Sequence, residues 1–296
     1  MSKSLSRSIR AGLLGIVLLV AGAGCGAAGA PRTDPSAEPR VGPTLSLVDL
    51  TKFSLPLDRF VLSPVNLTLS TRAEFILTDD CMKRFGLALP PQVASGDPSM
   101  NYSRRYGIFD EALAAKRGYR GPADSGPKVT PLTPQAEAVA TGQGQRSYAG
   151  KQVPEGGCVG EARRVLMEGV REVPARDLGS VLANESWERS KQDSRVRAVF
   201  TSWSSCMKLK GYDYADPMAA VGNPVFGTKE PSPEEIKVAV ADVRCKREAN
   251  VVNVWATVET AYQEMALKQH SKELAAIRAH FEAQERNAEK IIAGRG

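Results

Sequence analysis

Apolar residues recur along this chain at helical spacing. Val196, Val199, Phe200, Trp203, Cys206 and Met207 stand at i, i+3, i+4, i+7, i+10 and i+11, which is one helix face. A strong helix start follows at Ser232-Pro233-Glu234-Glu235. Ser232 is suited to capping, Pro233 to the first helical position, and Glu235 completes a capping box. After Pro233 neither proline nor glycine occurs as far as Ile292, so the pattern predicts helix throughout. Its first half carries a broad apolar face (Ile236, Val240, Val243, Val251, Val254, Trp255, Val258, Tyr262, Met265). Its second half is more charged, with Leu267, Leu274, Ile277, Phe281, Ala288 and Ile291 near heptad spacing. The preferred reading is a helix that bends or folds back near His270-Ser271 and packs within its own chain. The alternative is a projecting arm that pairs with a partner or a second copy. Strand patterns are scarce. Thr44 to Val61 alternates over Leu45, Leu47, Val48 and Leu50 and predicts a short extended segment or hairpin. Glycine and proline concentrate in residues 26–43 and 86–157, so the second of these stretches reads as long loops with short helices. The expected fold class is mainly α: a disulfide-braced helical domain with long loops, a short extended N-terminal segment and a long C-terminal helix.

The start of the chain has a different pattern. Lys3, Arg7 and Arg10 precede an apolar run from Ala11 to Ala23, which ends in small residues at Cys25. The run is short for a membrane helix, which needs about 20 apolar residues. The layout is that of a secretory signal peptide, residues 1–24, with lipid modification of Cys25; ordinary secretion is the alternative. Gly22 stands where a lipoprotein signal usually has leucine. Residues 25–43, with four prolines, read as a flexible tether. Residues 44–170 form a first, loop-rich cysteine unit, and residues 171–296 a second unit with the long C-terminal helix. Loss of residues 1–24 removes three basic and no acidic residues. The remaining 36 Lys and Arg against 33 Asp and Glu lower the net charge from +6 to +3. A balance this close to neutral argues against nucleic acid as a partner.

The four remaining cysteines sit in a duplicated pattern. Phe75…Cys81-Met82-Lys83…Gly86 and Phe200…Cys206-Met207-Lys208…Gly211 share the form F-x5-C-M-K-x2-G. Each reads as the last turns of a helix stopped by a left-handed glycine, with lysine opposing the dipole end. One further cysteine follows each unit, Cys158 at a loop-to-helix junction and Cys245 inside a helix. The simplest connectivity is Cys81–Cys158 and Cys206–Cys245; spacing leaves the two other pairings open. Export to an oxidising compartment makes disulfides the expected state. No CxxC, CxxCH or His-rich cluster accompanies the Cys-Met pairs, so no metal or cofactor is expected, and Met82 and Met207 are read as core filling.

Sequence signals of catalysis are weak. The two histidines, His270 and His280, do not share a helix face well and read as surface residues. No nucleophile elbow, HExxH, phosphate loop or dinucleotide turn is present. Asp79-Asp80 reads as exposed helix acids. Residues 106–119 predict a loop, a small helix capped by Asp110 and a stop at Gly118, with Tyr106 and Tyr119 as core anchors rather than the lining of a peptide groove. Trp203 and Trp255 are expected near the second disulfide, and Trp187 in the core.

Several segments carry a resemblance: Tyr106-Gly107…Gly118-Tyr119, Pro154-x-Gly156-Gly157-Cys158, Trp203-Ser-x-Cys206-Met207-x3-Gly211-Tyr212, Ala241-Asp242-x2-Cys245 and Trp255…Glu259-x2-Tyr262-Gln263. Over about residues 70–270 the chain resembles uncharacterised lipoproteins and secreted proteins of actinobacteria such as streptomycetes. The resemblance implies an exported, mostly helical protein and brings no activity or catalytic residues. The expected function is that of a membrane-anchored lipoprotein on the outer face of the cytoplasmic membrane, non-enzymatic, with a binding or scaffolding role. Its expected partners are the membrane, through lipid on Cys25, and an envelope protein or a second copy, through the C-terminal helix. An envelope hydrolase using paired carboxylates is the alternative. A solute carrier is disfavoured because strands and helices do not alternate.

Overall fold

The computed structural model describes residues 37–61, 64–91, 104–120, 130–144, 146–226 and 230–294, with the side chains of 64–66 left aside. The signal peptide, Cys25 and the first part of the tether lie outside the described residues.

The chain folds as predicted into helices: α1 (Pro64–Arg84), α2 (Glu111–Arg117), α3 (Pro134–Thr141), α4 (Gly157–Leu166), α5 (Leu178–Gln192), α6 (Ser194–Leu209), α7 (Pro217–Val221), α8 (Pro233–Glu248), α9 (Val251–Gln269) and α10 (Ser271–Ala293). One two-stranded antiparallel hairpin, β1 (Ser147–Tyr148) and β2 (Lys151–Gln152), lies in the loop-rich middle. The segment 44–61 is not a hairpin. It runs as an extended strap broken by two 3-10 turns, Leu50–Lys52 and Asp58–Phe60. Its alternation is nonetheless used. Leu45 N donates to Thr257 Oγ1 (2.9 Å), Leu47 N to Asn253 Oδ1 (2.8 Å) and Leu57 N to Gln263 Oε1 (3.0 Å), so side chains of α9 satisfy a strap that has no strand partner among the described residues. The end of the expected tether is also docked. Glu38 accepts from Ser194 N (2.6 Å) and Ser194 Oγ (2.8 Å), and Pro39 O accepts from Arg195 Nη2 (3.0 Å).

The duplicated cysteine pattern folds the same way twice. Leu87 N donates to Met82 O and Gly86 N to Lys83 O; Tyr212 N donates to Met207 O and Gly211 N to Lys208 O. Gly86 and Gly211 take φ +72 and +88. Both ends are therefore Schellman caps, which satisfy the last helix carbonyls. Cys81 in α1 bonds Cys158 in the first turn of α4, and Cys206 in α6 bonds Cys245 in α8. Met82 and Met207 are fully buried.

The long C-terminal pattern is not one rod. Asn250, at φ +55, separates α8 from α9, and His270 separates α9 from α10. Asparagine tolerates the left-handed region, which is why a proline-free and glycine-free run still turns there. α10 then packs on α1, α4 and α5. Leu274 and Ile277 are buried with Leu57, Phe60 and Leu182, and Ala288 with Ala73 and Leu166. The heptad positions are thus used inside the chain, in line with the reading of a helix that bends near His270 and packs within its own chain.

The main core gathers Phe200, Trp203, Cys206 and Met207 of α6, Val238 and Cys245 of α8, and Trp255 and Val258 of α9. Trp187 and Phe200 pack on the Trp255 ring with centroids 5.8 and 5.0 Å away. Residues Glu38–Gly296 make one compact unit. α1 of the first cysteine unit packs on α10 of the second, and α2 on α8.

Candidate functional site

Charge is buried where α8 and α9 meet residues 104–120. Glu235, Asp242 and Lys246 follow one another on α8 at i, i+7 and i+11, which is a single face, and Glu259 and Gln263 stand one turn apart on α9. All five are fully buried. Segment 104–120 supplies their partners. Arg105 Nε donates to both oxygens of Glu259 (3.0 and 3.1 Å) and its Nη2 also donates there; Tyr106 OH donates to Glu259 Oε2 (2.8 Å). Gln263 Nε2 adds a fourth donor group to this carboxylate (3.0 Å). Lys246 Nζ lies 2.8 Å from Asp242 Oδ2 and donates to Ile108 O (3.2 Å), while Trp203 Nε1 donates to Asp242 Oδ1 (2.9 Å). Glu235 accepts from Tyr119 N (3.1 Å) and Arg120 Nη2 (3.2 Å), beyond its role as the third residue of the Ser232 cap.

Two glycines let the segment approach these groups. A Cβ on Gly107 would lie 2.6 Å from Lys246 Nζ, and one on Gly118 would lie 2.6 Å from Glu235 Oε1. Between them Asp110 caps α2, its carboxylate accepting from Leu113 N (2.9 Å). Tyr106 and Tyr119 are buried, as core anchors should be.

The electrostatics are those of a sealed interior. Burial raises the Asp242 pKa above 3.8, against the lowering pull of Lys246 and Trp203. Burial also pushes the Tyr119 phenol far above its ordinary range, and the Asp242 charge acts in the same direction. Arg104 has its pKa lowered by burial, and its Nη1 is buried with no hydrogen-bond partner among the described residues. Removing one member of a buried ion pair typically costs about 3–5 kcal/mol, because the other charge is stranded. The arrangement fixes the position of segment 104–120 on α8 and α9. None of Glu235, Asp242 and Glu259 lines the grooves described next.

The described residues form open grooves, three of which are large. The first, about 510 Å³, lies between α1 and α3; Phe75, Leu132 and Val159 form its apolar part, and Glu74 and Glu137 line it as well. Glu74 is held by Arg163 Nε at 2.9 Å. A second of about 440 Å³, among α5, α6 and α7, is lined by Lys191, Arg197 and Asp216. A third of about 450 Å³ separates residues 48–51 from 108–113 and is lined by Val48, Phe109 and Arg247.

Other candidates from sequence are placed as follows. Asp79 is more than an exposed helix acid: it accepts from Leu89 N (3.0 Å) and pairs with Lys83 at 2.6 Å, tying the loop after α1 back to the helix. His280 is not on the surface. It is 3 % exposed, and its Nδ1 lies 2.8 Å from Arg171 O. It faces the loop between α4 and α5 because α10 lies against the body. His270 sits at the α9–α10 junction. No three metal-ligating side chains come together among the described residues. The buried ionic layer itself was not singled out by sequence reasoning. Its only signal is an Asp-x3-Lys pair set among the apolar positions Val238, Val243 and Cys245.

Comparison with protein-family models, with curated proteins and with solved structures gave no match.

Proposed function

We propose that this protein is an exported lipoprotein anchored through Cys25 at the outer face of the cytoplasmic membrane, with a non-enzymatic binding or scaffolding role in the envelope of an actinobacterium. The observation that carries this reading is the pair of disulfides, one in each cysteine unit, in a chain whose residues 1–24 have the layout of an export signal. Disulfides persist in oxidising compartments. Among the described residues no helix is long and apolar enough to cross a membrane, which fits attachment by lipid. The buried carboxylates support a structural role, since each is tied to protein donors. Partner contact through the C-terminal helix would use the polar outer face of α10, around Lys272 and Ala279.

Fractionation of cells producing a C-terminally tagged chain tests the anchor. The expected result is tagged protein in the membrane fraction, with an intact mass lacking residues 1–24 and carrying acyl chains. Full-length, reduced protein in the cytosol would refute it. A photo-crosslinking residue at Lys272 or Ala279 should capture a discrete species, and adducts no different from those of a label on α3 would refute the α10 contact.

One observation favours the second reading, an envelope hydrolase: Glu74 and Glu137 line the same groove. Hydrolysis of purified cell wall by the wild type, abolished in both Glu74→Gln and Glu137→Gln, would replace the non-enzymatic reading.

A further inference from the structure

We propose that the groove between the strap at residues 48–51 and segment 108–113 binds a small organic monocarboxylate, its carboxylate held by Arg104 and its apolar body lying against Val48 and Phe109. The site goes beyond the role proposed above and does not depend on the lipid anchor, because its residues all lie within the unit Glu38–Gly296. Arg104 lines this groove of about 450 Å³. That volume falls in the range of small-molecule sites. Arg104 Nη2 donates to Tyr119 O, but Nη1 is buried with no hydrogen-bond partner, and no carboxylate pairs with the guanidinium, among the described residues. Buried polar groups in native proteins nearly always have partners. An orphan donor on a permanently charged group therefore calls for an acceptor from outside the chain.

Carboxylates of the chain lie in the same groove, yet each is engaged elsewhere. Asp49 accepts from Thr51 N (2.9 Å) and Thr51 Oγ1 (2.6 Å). Asp110 caps α2 through Leu113 N. Glu111 lies between Arg244 Nε (2.9 Å) and Arg247 Nη1 (3.0 Å). All three line the groove, and this decides the charge of the ligand. A dianionic head such as a phosphate would be repelled by three carboxylates. A single carboxylate matches the fork of one guanidinium and meets less repulsion. Burial lowers the Arg104 pKa, and an anion beside the guanidinium would offset that penalty.

The apolar walls are fixed in advance. Val48 is 90 % exposed, so its surface is open to a ligand. Phe109 is held by Arg247, whose Nη2 donates to Phe109 O (3.3 Å) and whose guanidinium lies 5.7 Å from the ring centroid. On the strap, Leu47 N is tied to Asn253 of α9, and Asp49 caps the 3-10 turn that follows. Walls already in place reduce the ordering cost of binding. Contact with Val48 and Phe109 favours an acid with a hydrophobic body over acetate, because that body leaves water on binding.

Fluorine NMR on the protein purified as cells produce it from the full chain tests the site with three probes of similar shape. They are para-fluorophenylacetate, the neutral para-fluorophenylacetamide and para-fluorobenzylphosphonate. The carboxylate should bind more tightly than the amide by about tenfold or more, the equilibrium equivalent of one charge-assisted hydrogen bond. It should also bind more tightly than the phosphonate. Arg104→Met should weaken binding of the carboxylate by a similar factor. Ala112→Trp, which fills the groove from an exposed position on α2, should do the same with the circular dichroism unchanged. Equal affinity for carboxylate and amide, or binding of neither, would overturn the site. Tighter binding of the phosphonate would overturn the assignment of a monocarboxylate. If Arg104→Met fails to fold, Ala112→Trp decides alone: wild-type affinity in that variant would put the carboxylate elsewhere and overturn the proposal.

Discussion

The carboxylate of Glu235 fills the space that a side chain at Gly118 would need: a methyl group there would lie 2.6 Å from Oε1 and 2.9 Å from Cγ. Gly118 also has φ +58 with ψ −133, a region that side chains disfavour. Gly118→Ala should therefore add a backbone cost of about 1–3 kcal/mol to the displacement of a buried, hydrogen-bonded carboxylate. Gly86→Ala is the control, since its φ is also positive but its surroundings are open, and it should cost about 1 kcal/mol. Urea unfolding midpoints would separate the two. Equal losses would show that Glu235 relaxes freely.

Two arginine–glutamate pairs allow burial to be weighed against geometry. Arg84 Nη2 lies 2.7 Å from both oxygens of Glu161, with the arginine side chain 53 % exposed. Arg105 pairs with Glu259, which is wholly buried. Arg84→Met should change stability by about 0–1 kcal/mol, as exposed pairs do. Arg105→Met should cost about 3–5 kcal/mol, because it strands Glu259. Tyr106 and Gln263 still donate to that carboxylate, which places the expected loss toward the lower end. Comparable losses measured in urea for the two variants would contradict this ranking.

The disulfides close loops of different length, with sequence separations of 77 for Cys81–Cys158 and 39 for Cys206–Cys245. Replacing either pair by alanines should destabilise by about 2–4 kcal/mol. Loop entropy alone makes the longer loop worth about 0.6 kcal/mol more, since its length is about double. Thermal melts of the two double variants should rank accordingly. The reverse order would mean that packing around Cys206 and Cys245, in the main core, outweighs the loop effect.

The parts of this fold legible in sequence were those encoded locally. The Cys-Met-Lys…Gly pattern contains everything a Schellman cap needs, and Asp110 with Gly118 brackets α2 completely. The turn at Asn250 was not legible, because asparagine is also an ordinary, if weak, helix residue and only tertiary packing selects its left-handed conformation. His280 and Glu259 were missed for a related reason. A polar residue on a helix reads as solvent-facing until the element opposite it is known, and here those elements are the loop carrying Arg171 and the segment 104–120, remote in sequence. The strap at 44–61 was half legible. Its alternation was visible, but the side chains of α9 that replace a strand partner were not.

Asp242 and Lys246 should make stability depend on pH in a direction opposite to that of most ion-paired carboxylates. Burial, the dominant influence, raises the Asp242 pKa above its ordinary 3.8 even with Lys246 beside it. The folded state then binds this proton more tightly than the unfolded state. The associated stability is fully present below the unfolded value and is lost as pH rises through the folded one. Lys246→Met removes the largest influence opposing burial, so the folded value climbs further and the window widens. At about pH 7 the variant should lose about 3–5 kcal/mol, the cost of a stranded buried charge. As pH falls and Asp242 takes up its proton, the loss should shrink toward the roughly 1 kcal/mol expected for the hydrogen bond from Lys246 to Ile108 O. Adding Asp242→Asn to Lys246→Met should restore much of the stability at neutral pH and flatten the profile. Urea denaturation as a function of pH checks all three statements. A deficit in Lys246→Met that is constant with pH would show that Asp242 is already protonated in the native protein at neutral pH, and that the contact to Lys246 is a hydrogen bond rather than an ion pair.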